Sequence, residues 1–341
     1  MNVATGLTAA SASDPATDPG GALPSGFADV EQLDDFLSHP SAALVADMAR
    51  LARNAAPAKR IVGVARFSEP ELRERLESWG VETIAADLLD RAQVEALPKA
   101  KNVIFMAGRK FGSSGNQALT WAMNVHSPAI VAEAFRESRI VAFSTGNIYP
   151  LIDVARQGAL ETTPPGPRGE YAQSCLGRER LFEYFSHLYG TPGRLFRLNY
   201  AIDLRYGVLF DLASRVKAGT AIDLSLMGHV NVIWQGDANA QALRSLLHCT
   251  TPTSPLNISG PETLSVRWLV EELAARLGVK PNLVGDEAPS AWLTNTAEAA
   301  KLFGYPGVPV SVMLDWVADW VARDGLSFNK PTKYEVRDGG F

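Results

Sequence analysis

Short apolar runs alternate with stretches of helical periodicity from residue 58 to residue 200. The predicted strands are "RIVGVARF" (60–67), the strand and loop "VETIAADLLD" (81–90), "KNVIFMAG" (101–108), "RIVAFSTG" (139–146) and "GRLFRLN" (193–199). The predicted helices are 69–80, 91–98, 118–138 and 171–190. Apolar strands joined by helices predict right-handed crossovers and a parallel sheet that is covered on both faces, which is an α/β fold.

The alternation loosens after residue 200. The segments 207–224 and 230–249 mix strand and helix patterns, whereas 262–278 and 309–325 are amphipathic helices. We therefore expect a doubly wound parallel sheet followed by a smaller C-terminal lobe. No internal repeat is evident.

Ligands on such sheets bind beyond the carboxyl ends of the strands. Five residues of chemical interest fall at these ends: Arg66, Asp87, Gly108, Thr145 and Asn199. This clustering is the first sign of a functional site.

Composition and charge exclude several classes of protein. A hydrophobic fraction of 46% supports a full-sized core, and a formal net charge of −5 argues against nucleic acid as a partner. No apolar run approaches the roughly 20 residues that span a bilayer. Two cysteines suggest a reducing compartment, and five scattered histidines show no metal-ligand spacing, so we predict a cytoplasmic protein with no metal site.

A hydroxyl at a strand end and a tyrosine that opens the next helix can face each other across a cleft. Thr145 and Tyr171 are placed in this way. A phenol titrates near 10, so Tyr171 can act as an acid or base at neutral pH only if a nearby cation lowers that value. The alternative from the residues alone is that Tyr171 is a packing residue.

With these positions the sequence resembles the extended short-chain dehydrogenase/reductase family of the NAD-dependent epimerase/dehydratase type, over about residues 58–322. The motifs that carry the resemblance are "FSTGNIYP" (143–150), Tyr171 placed 26 residues after Thr145, "DLLD" (87–90), "FMAG" (105–108), Asn124, "VNVIWQGDANA" (230–240) and "LNISGPETLSV" (256–266). Each motif is weak alone, but their order and spacing are specific.

The resemblance implies a domain organisation and a set of site residues. It implies a Rossmann-like nucleotide-binding domain over 28–200 and a mixed substrate-binding lobe, interleaved with the sheet, over 201–330. We expect a disordered tail at 1–27 and a C-terminal tail at 331–341. The implied catalytic residues are Thr145, Tyr171 and Cys175, the last in the position of the family lysine. The implied cofactor-binding residues are Arg66, Asp87, Leu88, Ala107, Gly108, Asn124 and Asn199.

Arg66 bears on the choice of cofactor. It follows the strand "IVGVA", where an acidic residue would bind the ribose hydroxyls of NAD. An arginine is better suited to the 2′-phosphate of NADP, so we predict NADP over NAD. A solvated arginine with no ligand is the alternative.

The sequence departs from the family pattern at Cys175. The family lysine binds the nicotinamide ribose and lowers the pKa of the tyrosine, and a neutral thiol can do neither. Arg178 lies seven positions after Tyr171 and returns to the same helix face. We therefore predict a genuine site that is electrostatically weakened.

A second departure is the glycine-rich turn. The family begins with a central strand and a Gly-x-x-Gly-x-x-Gly turn roughly 25 residues before the position of Arg66. Here the stretch 41–60 contains no glycine and has a helical pattern, as does 29–39. A natural deletion, a faulty gene model and a replaced cofactor site are the alternatives. Because no segment is identified that would hold the pyrophosphate, we predict weak or absent cofactor binding by this chain.

The leading hypothesis is an NAD(P)-dependent oxidoreductase or epimerase that acts on a sugar-like or polyhydroxy small molecule. "STGN" (144–147) lacks the Asp-Glu pair of the family's sugar-nucleotide dehydratases, which disfavours dehydration. The alternative is a catalytically degenerate relative that binds a ligand or a protein partner. We expect no membrane partner, and a homodimer is left open.

Overall fold

The computed structural model describes residues 59–68, 70–110, 115–330 and 332–340. The predicted N-terminal tail, the helical patterns at 29–39 and 41–57, and the predicted absence of a first strand and glycine-rich turn lie outside the described residues.

The described residues form short strands and longer helices in alternation. The strands are β1 (Val62–Ala65), β2 (Glu82–Ala85), β3 (Asn102–Phe105), β4 (Arg139–Thr145), β5 (Ile152–Asp153), β6 (Gly193–Leu198), β7 (Ala201–Ile202), β8 (Ile222–Asp223), β9 (His229–Val230), β10 (Ile233–Trp234), β11 (Ser254–Ile258), β12 (Leu264–Ser265), β13 (Leu283–Val284) and β14 (Ser290–Ala291). The helices are α1 (Pro70–Ser78), α2 (Arg91–Glu95), α3 (Gln117–Trp121), α4 (Ser127–Ala134), α5 (Gly169–Tyr189), α6 (Val208–Lys217), α7 (Gln235–Ser245), α8 (Val266–Leu277), α9 (Ala297–Phe303) and α10 (Val310–Ala322).

Four parallel strands form the main sheet in the order β11-β6-β4-β3. Alternate residues of β4 enter different hydrophobic clusters: Ile140 and Ala142 belong to one, and Val141 and Phe143 to the other. Because successive strand residues point to opposite faces, both faces of this sheet are covered. The predicted doubly wound α/β fold is confirmed.

A separate parallel pair, β1 and β2, completes the described part of the sheet. Its residues Val64 and Ile84 pack against the same cluster as Phe105 of β3. Within the described residues, however, no ladder joins β1 to β3. The resemblance places the family's first strand at the centre of the sheet, and the segment that would supply it is not among the described residues.

The largest hydrophobic cluster lies beyond the main sheet and joins residues from 202 to 334. It is built by α6, α8 and α10, whose apolar faces meet through residues such as Leu212, Leu269 and Leu314. Four two-stranded pairs surround it: β7 with β10, β5 with β14, β8 with β13 and β9 with β12. This lobe brings side chains of the C-terminal half next to the ends of the sheet strands.

The end of the chain, which we predicted to be a tail, packs against the rest of the protein. Tyr334 is 2% exposed within the large cluster. Arg337 donates hydrogen bonds to the carbonyl oxygens of Leu226 and Ser290 at 3.1 and 2.8 Å. The described segment 332–340 therefore packs as part of the C-terminal lobe.

The predicted helix over 118–138 is interrupted. α3 and α4 are separated by a π-helical turn, Ala122–His126, in which Asn124 is fully buried. Such turns insert one extra residue and redirect a side chain, and here the redirected side chain is one of the predicted site residues.

Candidate active site

The predicted site residues lie along the edge where the parallel strands end. Arg66 follows β1, Asp87 and Leu88 follow β2, Ala107 and Gly108 follow β3, Thr145 ends β4, and Asn199 follows β6. Tyr171 and Cys175 reach the same edge from the first two turns of α5.

Thr145 is fixed by a tight turn at the end of β4. Its Oγ1 accepts a hydrogen bond from the backbone N–H of Asn147 at 3.2 Å and donates to the Asn147 Oδ1 at 3.1 Å. The residue caps the short 3₁₀ turn Gly146–Ile148 and is 6% exposed. The hydroxyl is thus held in one orientation beside the start of α5.

Tyr171 and Cys175 occupy one face of α5, a single turn apart. The Tyr171 phenol hydrogen-bonds to the Thr145 side chain and to the Cys175 sulfur. Cys175 is a free cysteine that is 1% exposed, whereas part of Tyr171 remains accessible. The structure therefore brings together all three residues that we predicted to be catalytic.

The surroundings of the phenol oppose its ionisation. Burial raises the pKa of Tyr171, and the neighbouring Cys175 raises it further, while Arg178 and the Thr145 hydroxyl act in the opposite direction. Burial likewise raises the pKa of the Cys175 thiol, against a lowering by Arg178. Both groups are neutral at pH 7 in this arrangement, and an acid–base role for Tyr171 requires further positive charge.

Arg178 lies below the site and is 5% exposed. Its guanidinium donates to the carbonyl oxygen of Phe143 at 2.7 Å and to the Oδ1 of Asn124 at 2.9 Å. Because its hydrogen-bond acceptors are neutral, the buried guanidinium keeps its positive charge uncompensated by them. This charge favours the ionised forms of Tyr171 and Cys175.

Asn124 joins three parts of the site. Its Nδ2 donates to the carbonyl oxygen of Arg109 and to the Ser174 hydroxyl, both at 2.9 Å, and its Oδ1 accepts from the Arg109 N–H at 2.6 Å. The side chain is 0% exposed, so it ties the loop after β3 to α5. A direct contact between Asn124 and a cofactor stays a prediction.

Asn199 faces the C-terminal lobe. Its Nδ2 donates to the Asn231 Oδ1 at 2.8 Å and to the carbonyl oxygen of Trp292 at 3.1 Å. A methyl group added at Gly146 would come within 3.0 Å of this side chain. Asn199 therefore links the turn after Thr145 to the lobe, and its predicted contact with a cofactor stays a prediction.

The remaining predicted residues lie at the other end of the edge. Arg66 is exposed, and Asp87 is half-buried with its Oδ1 accepting from the Leu89 N–H at 3.0 Å. Leu88 and Ala107 pack into the cluster under the sheet. Gly108 is exposed, and a side chain there would collide with the Arg178 guanidinium, so glycine lets the chain pass directly over Arg178.

The arrangement of this edge agrees with a match to a family model. Residues 48–248 match the model of the NAD dependent epimerase/dehydratase family, which is more than half of the chain. The chain belongs to this family. None of the curated proteins matches the chain.

Solved structures of the family share the fold at low sequence identity. UDP-glucuronic acid 4-epimerase from Bacillus cereus superposes with a TM-score of 0.69 at 16% identity, over 82% of this chain and 96% of that one. UDP-glucose 4-epimerase from Thermus thermophilus gives 0.65 at 19%, over 80% and 94%. UDP-glucose 4-epimerase from Thermotoga maritima gives 0.67 at 15%, over 81% and 95%.

One charged residue of this family member's site was missed by the sequence analysis. Lys110, two residues after Gly108, places its Nζ 5.9 Å from the centroid of the Tyr171 ring. The signal available was the pair of basic residues, Arg109 and Lys110, directly after the strand-end motif "FMAG". Sequence spacing does not show that this loop turns toward α5.

The C-terminal segment also reaches the site. Gly339 lies against Arg168 and Gly169 at the start of α5, and Arg168 donates to the carbonyl oxygen of Arg337 at 3.2 Å. Among the described residues, no cluster of three or more His, Cys, Asp or Glu could hold a metal ion. No helix of the described ranges is long and apolar enough to cross a membrane.

Proposed function

We propose that this family member uses a nicotinamide cofactor to epimerise or oxidise a sugar nucleotide at a ring hydroxyl. The observation that carries the proposal is the hydrogen-bonded pair of Thr145 and Tyr171 at the carboxyl edge of a parallel sheet. The three neighbours are named as UDP-sugar 4-epimerases, and two of them were solved with NAD, which supports this class of substrate and cofactor.

The hydroxyls of Tyr171 and Thr145 have different roles toward such a substrate. The Tyr171 oxygen takes the proton of the substrate hydroxyl as that carbon is oxidised and returns it on reduction. The Thr145 hydroxyl, whose single proton is donated to the Asn147 Oδ1 in this structure, turns that proton to the same substrate oxygen when the substrate is bound. The fixed turn after β4 aligns the pair, so little ordering is needed when the substrate arrives.

The described residues fit the two ends of a dinucleotide. One oxygen of Asp87 accepts the Leu89 N–H, which leaves the carboxylate oriented at the sheet edge where adenosine would lie. Gly108 exposes its backbone at the end of β3, between Asp87 and the Tyr171 side. When bound, the nicotinamide ring supplies the hydride acceptor. A preference for NADP rests on Arg66 and stays a prediction, since the neighbours named with a cofactor carry NAD.

The test is turnover of UDP-glucose and UDP-glucuronic acid with millimolar NAD or NADP, followed by NMR of the sugar product. We expect Tyr171→Phe to lower the rate by about 10²–10⁴-fold, because it deletes only the oxygen that carries the proton. Tyr184→Phe is the matched control, since Tyr184 lies on the same helix and is 57% exposed. Equal rates for Tyr171→Phe and the wild type would show that Tyr171 is structural.

A second candidate function is ligand binding without catalysis. Cys175 in the lysine position and the raised pKa of Tyr171 favour it. In that case a sugar nucleotide or a dinucleotide at saturating concentration would raise the melting temperature, because a ligand that binds only the folded state stabilises it. No product would form over the same concentration range.

Two further features of the proposal rest on the sequence alone. A cytoplasmic location follows from the sparse cysteines, and a homodimer is left open. Fractionation of the producing cells and sedimentation of the purified protein address them.

A further inference from the structure

A cation from outside α5 faces the Tyr171 ring. Lys110 belongs to the loop after β3, which is pinned by the two hydrogen bonds between Arg109 and Asn124. Its Nζ lies 5.9 Å from the ring centroid, within the range of a cation–π contact, and its charge acts on Cys175. The loop after β3 thus places the Lys110 ammonium group near Cys175, the α5 residue in the position of the family lysine.

The other charged groups around Tyr171 are held elsewhere. Arg178 is bound from below by Phe143 and Asn124. Glu179, four residues after Cys175 on α5, forms a buried ion pair with Arg197 at 2.7 Å. Lys333, on the C-terminal segment, donates to the carbonyl oxygen of Gly340 at 3.0 Å. Among the described residues, Lys110 approaches the Tyr171 ring from the loop after β3.

We propose that Lys110 supplies, from the loop after β3, the positive charge that the family lysine supplies from the position of Cys175. This inference rests on the proposed function of Tyr171 as the proton carrier. Lys110 acts through Tyr171, so it is a positioning residue rather than a catalytic one. The positive charge then comes from the loop after β3 rather than from α5, and it acts on the same residue, Tyr171.

The charge state of Lys110 suits this role near neutral pH. Burial lowers the pKa of Lys110 to about 8, with a further lowering by Lys333 and an opposing effect of Cys175. The side chain is therefore mostly cationic at pH 7 and loses its charge above about pH 8. A positive charge beside a phenol favours its ionised form, so Lys110 favours the Tyr171 phenolate until it deprotonates itself.

The kinetic test compares Lys110→Met, Lys110→Arg and Lys99→Met across pH 6–10. Lys99 is the matched control, because its Nζ lies 4.9 Å from the Phe135 ring, remote from the residues of the site. We expect Lys110→Met to lower kcat at pH 7.5 by about 10–100-fold, since each unit added to the Tyr171 pKa removes about nine-tenths of the phenolate.

The pH profile separates this role from a merely structural one. The wild type should gain activity as the pH rises to about 8 and then level off as Lys110 loses its charge, whereas Lys110→Arg should go on gaining activity because a guanidinium stays charged. A Lys110→Met profile that coincides with that of Lys99→Met would overturn the proposal.

A second measurement is independent of turnover. Acetylation of the folded protein with limiting acetic anhydride at increasing pH, followed by peptide mass spectrometry, yields the midpoint for each lysine. We expect a midpoint near 8 for Lys110, below the value of about 10 that lysine has in model peptides. In Cys175→Lys the new ammonium should lower the Lys110 midpoint by about one unit, because like charges disfavour each other, and leave Lys99 unchanged.

The turnover and acetylation measurements test the proposed function and the role of Lys110 separately. Absence of turnover on sugar nucleotides would refute the proposed function, while the acetylation midpoints still decide whether a depressed Lys110 lies beside position 175. A Lys110 midpoint equal to that of Lys99 in the wild type would overturn the inference even if the enzyme is active. Recovery of activity in the double variant Lys110→Met/Cys175→Lys would support it directly, because the charge returns from the helix.

Discussion

Thr145, Tyr171 and Cys175 meet at side-chain hydrogen-bonding distance although they come from a strand end and a helix 26 residues later. The contact follows from two local rules. Thr145 accepts the Asn147 N–H of its own turn, and residues four apart on α5 share one face. The ionisation of the Tyr171 phenol depends on its burial and on nearby charges. These charges come from Lys110 in the loop after β3 and from Arg178 on α5.

Arg66 is the residue on which cofactor choice depends. It is exposed at the end of β1, so Arg66→Ala should leave the free energy of unfolding within about 0.5 kcal/mol of the wild type. We expect it to weaken NADP binding about tenfold or more and to leave NAD nearly unaffected, because only NADP has a 2′-phosphate for a guanidinium to bind. Isothermal titration calorimetry at millimolar cofactor measures both. Equal losses for the two cofactors would place Arg66 away from the adenosine ribose.

At the scale of elements, α5 carries most of the site and is constrained at both ends by glycines. Gly169 begins it at φ +73°, in close contact with the backbone of Gly339, and Gly190 ends it at φ +70° with open space around it. Left-handed backbone favours glycine at both positions. Only the first glycine also has to admit another segment of the chain.

The two glycines give a matched pair of variants. Gly190→Ala should cost about 1–2 kcal/mol of unfolding free energy, which is the penalty of a side chain in the left-handed region. Gly169→Ala should cost about 1–3 kcal/mol more, because the added methyl also collides with the Gly339 carbonyl and displaces the C-terminal segment. Urea unfolding midpoints measure both values. Equal costs would mean that residues 332–340 do not press on α5 in solution.

At the scale of the whole molecule, the described sheet falls into two parts, with β1 and β2 on one side and the four-stranded part on the other. A dinucleotide's pyrophosphate is normally held by backbone N–H groups at the start of the helix that follows the first strand. The described residues include the strand ends that we predict to bind adenosine and nicotinamide, and the stretch 41–57 has no glycine.

We therefore expect weak dinucleotide binding by this chain. Insertion of a strand with a Gly-x-x-Gly-x-x-Gly turn ahead of Ala49 should strengthen NADP binding, and the same insertion with alanines in place of the glycines should not. Titration calorimetry compares the three proteins. Micromolar NADP binding by the unmodified chain would contradict the prediction, and would mean that another element holds the pyrophosphate.

Much of this molecule was predictable from local pattern. Apolar strands with helical connections predict β1 to β4, β6 and the helices between them to within a few residues, because burial on both faces imposes continuous apolar runs. α5 was predicted to end at Gly190, and it ends there because that residue adopts the left-handed cap. Strand patterns were predicted near β8 and β10, but the short helix α9 and the two-residue strands β5, β7 and β14 were not, because segments this short show no clear periodicity.

The sequence by itself determined the α/β class, the family and the identity of the hydroxyl pair, since each depends on local periodicity or on spacing along one strand–helix unit. Only the tertiary structure decided which charges surround Tyr171. It brings Lys110 over the ring, buries Arg178 against the Phe143 carbonyl oxygen and Asn124, and folds the predicted tail against Gly169. These contacts join loops and segments that are far apart in the chain, and their approach is set by packing of the whole core rather than by any local pattern.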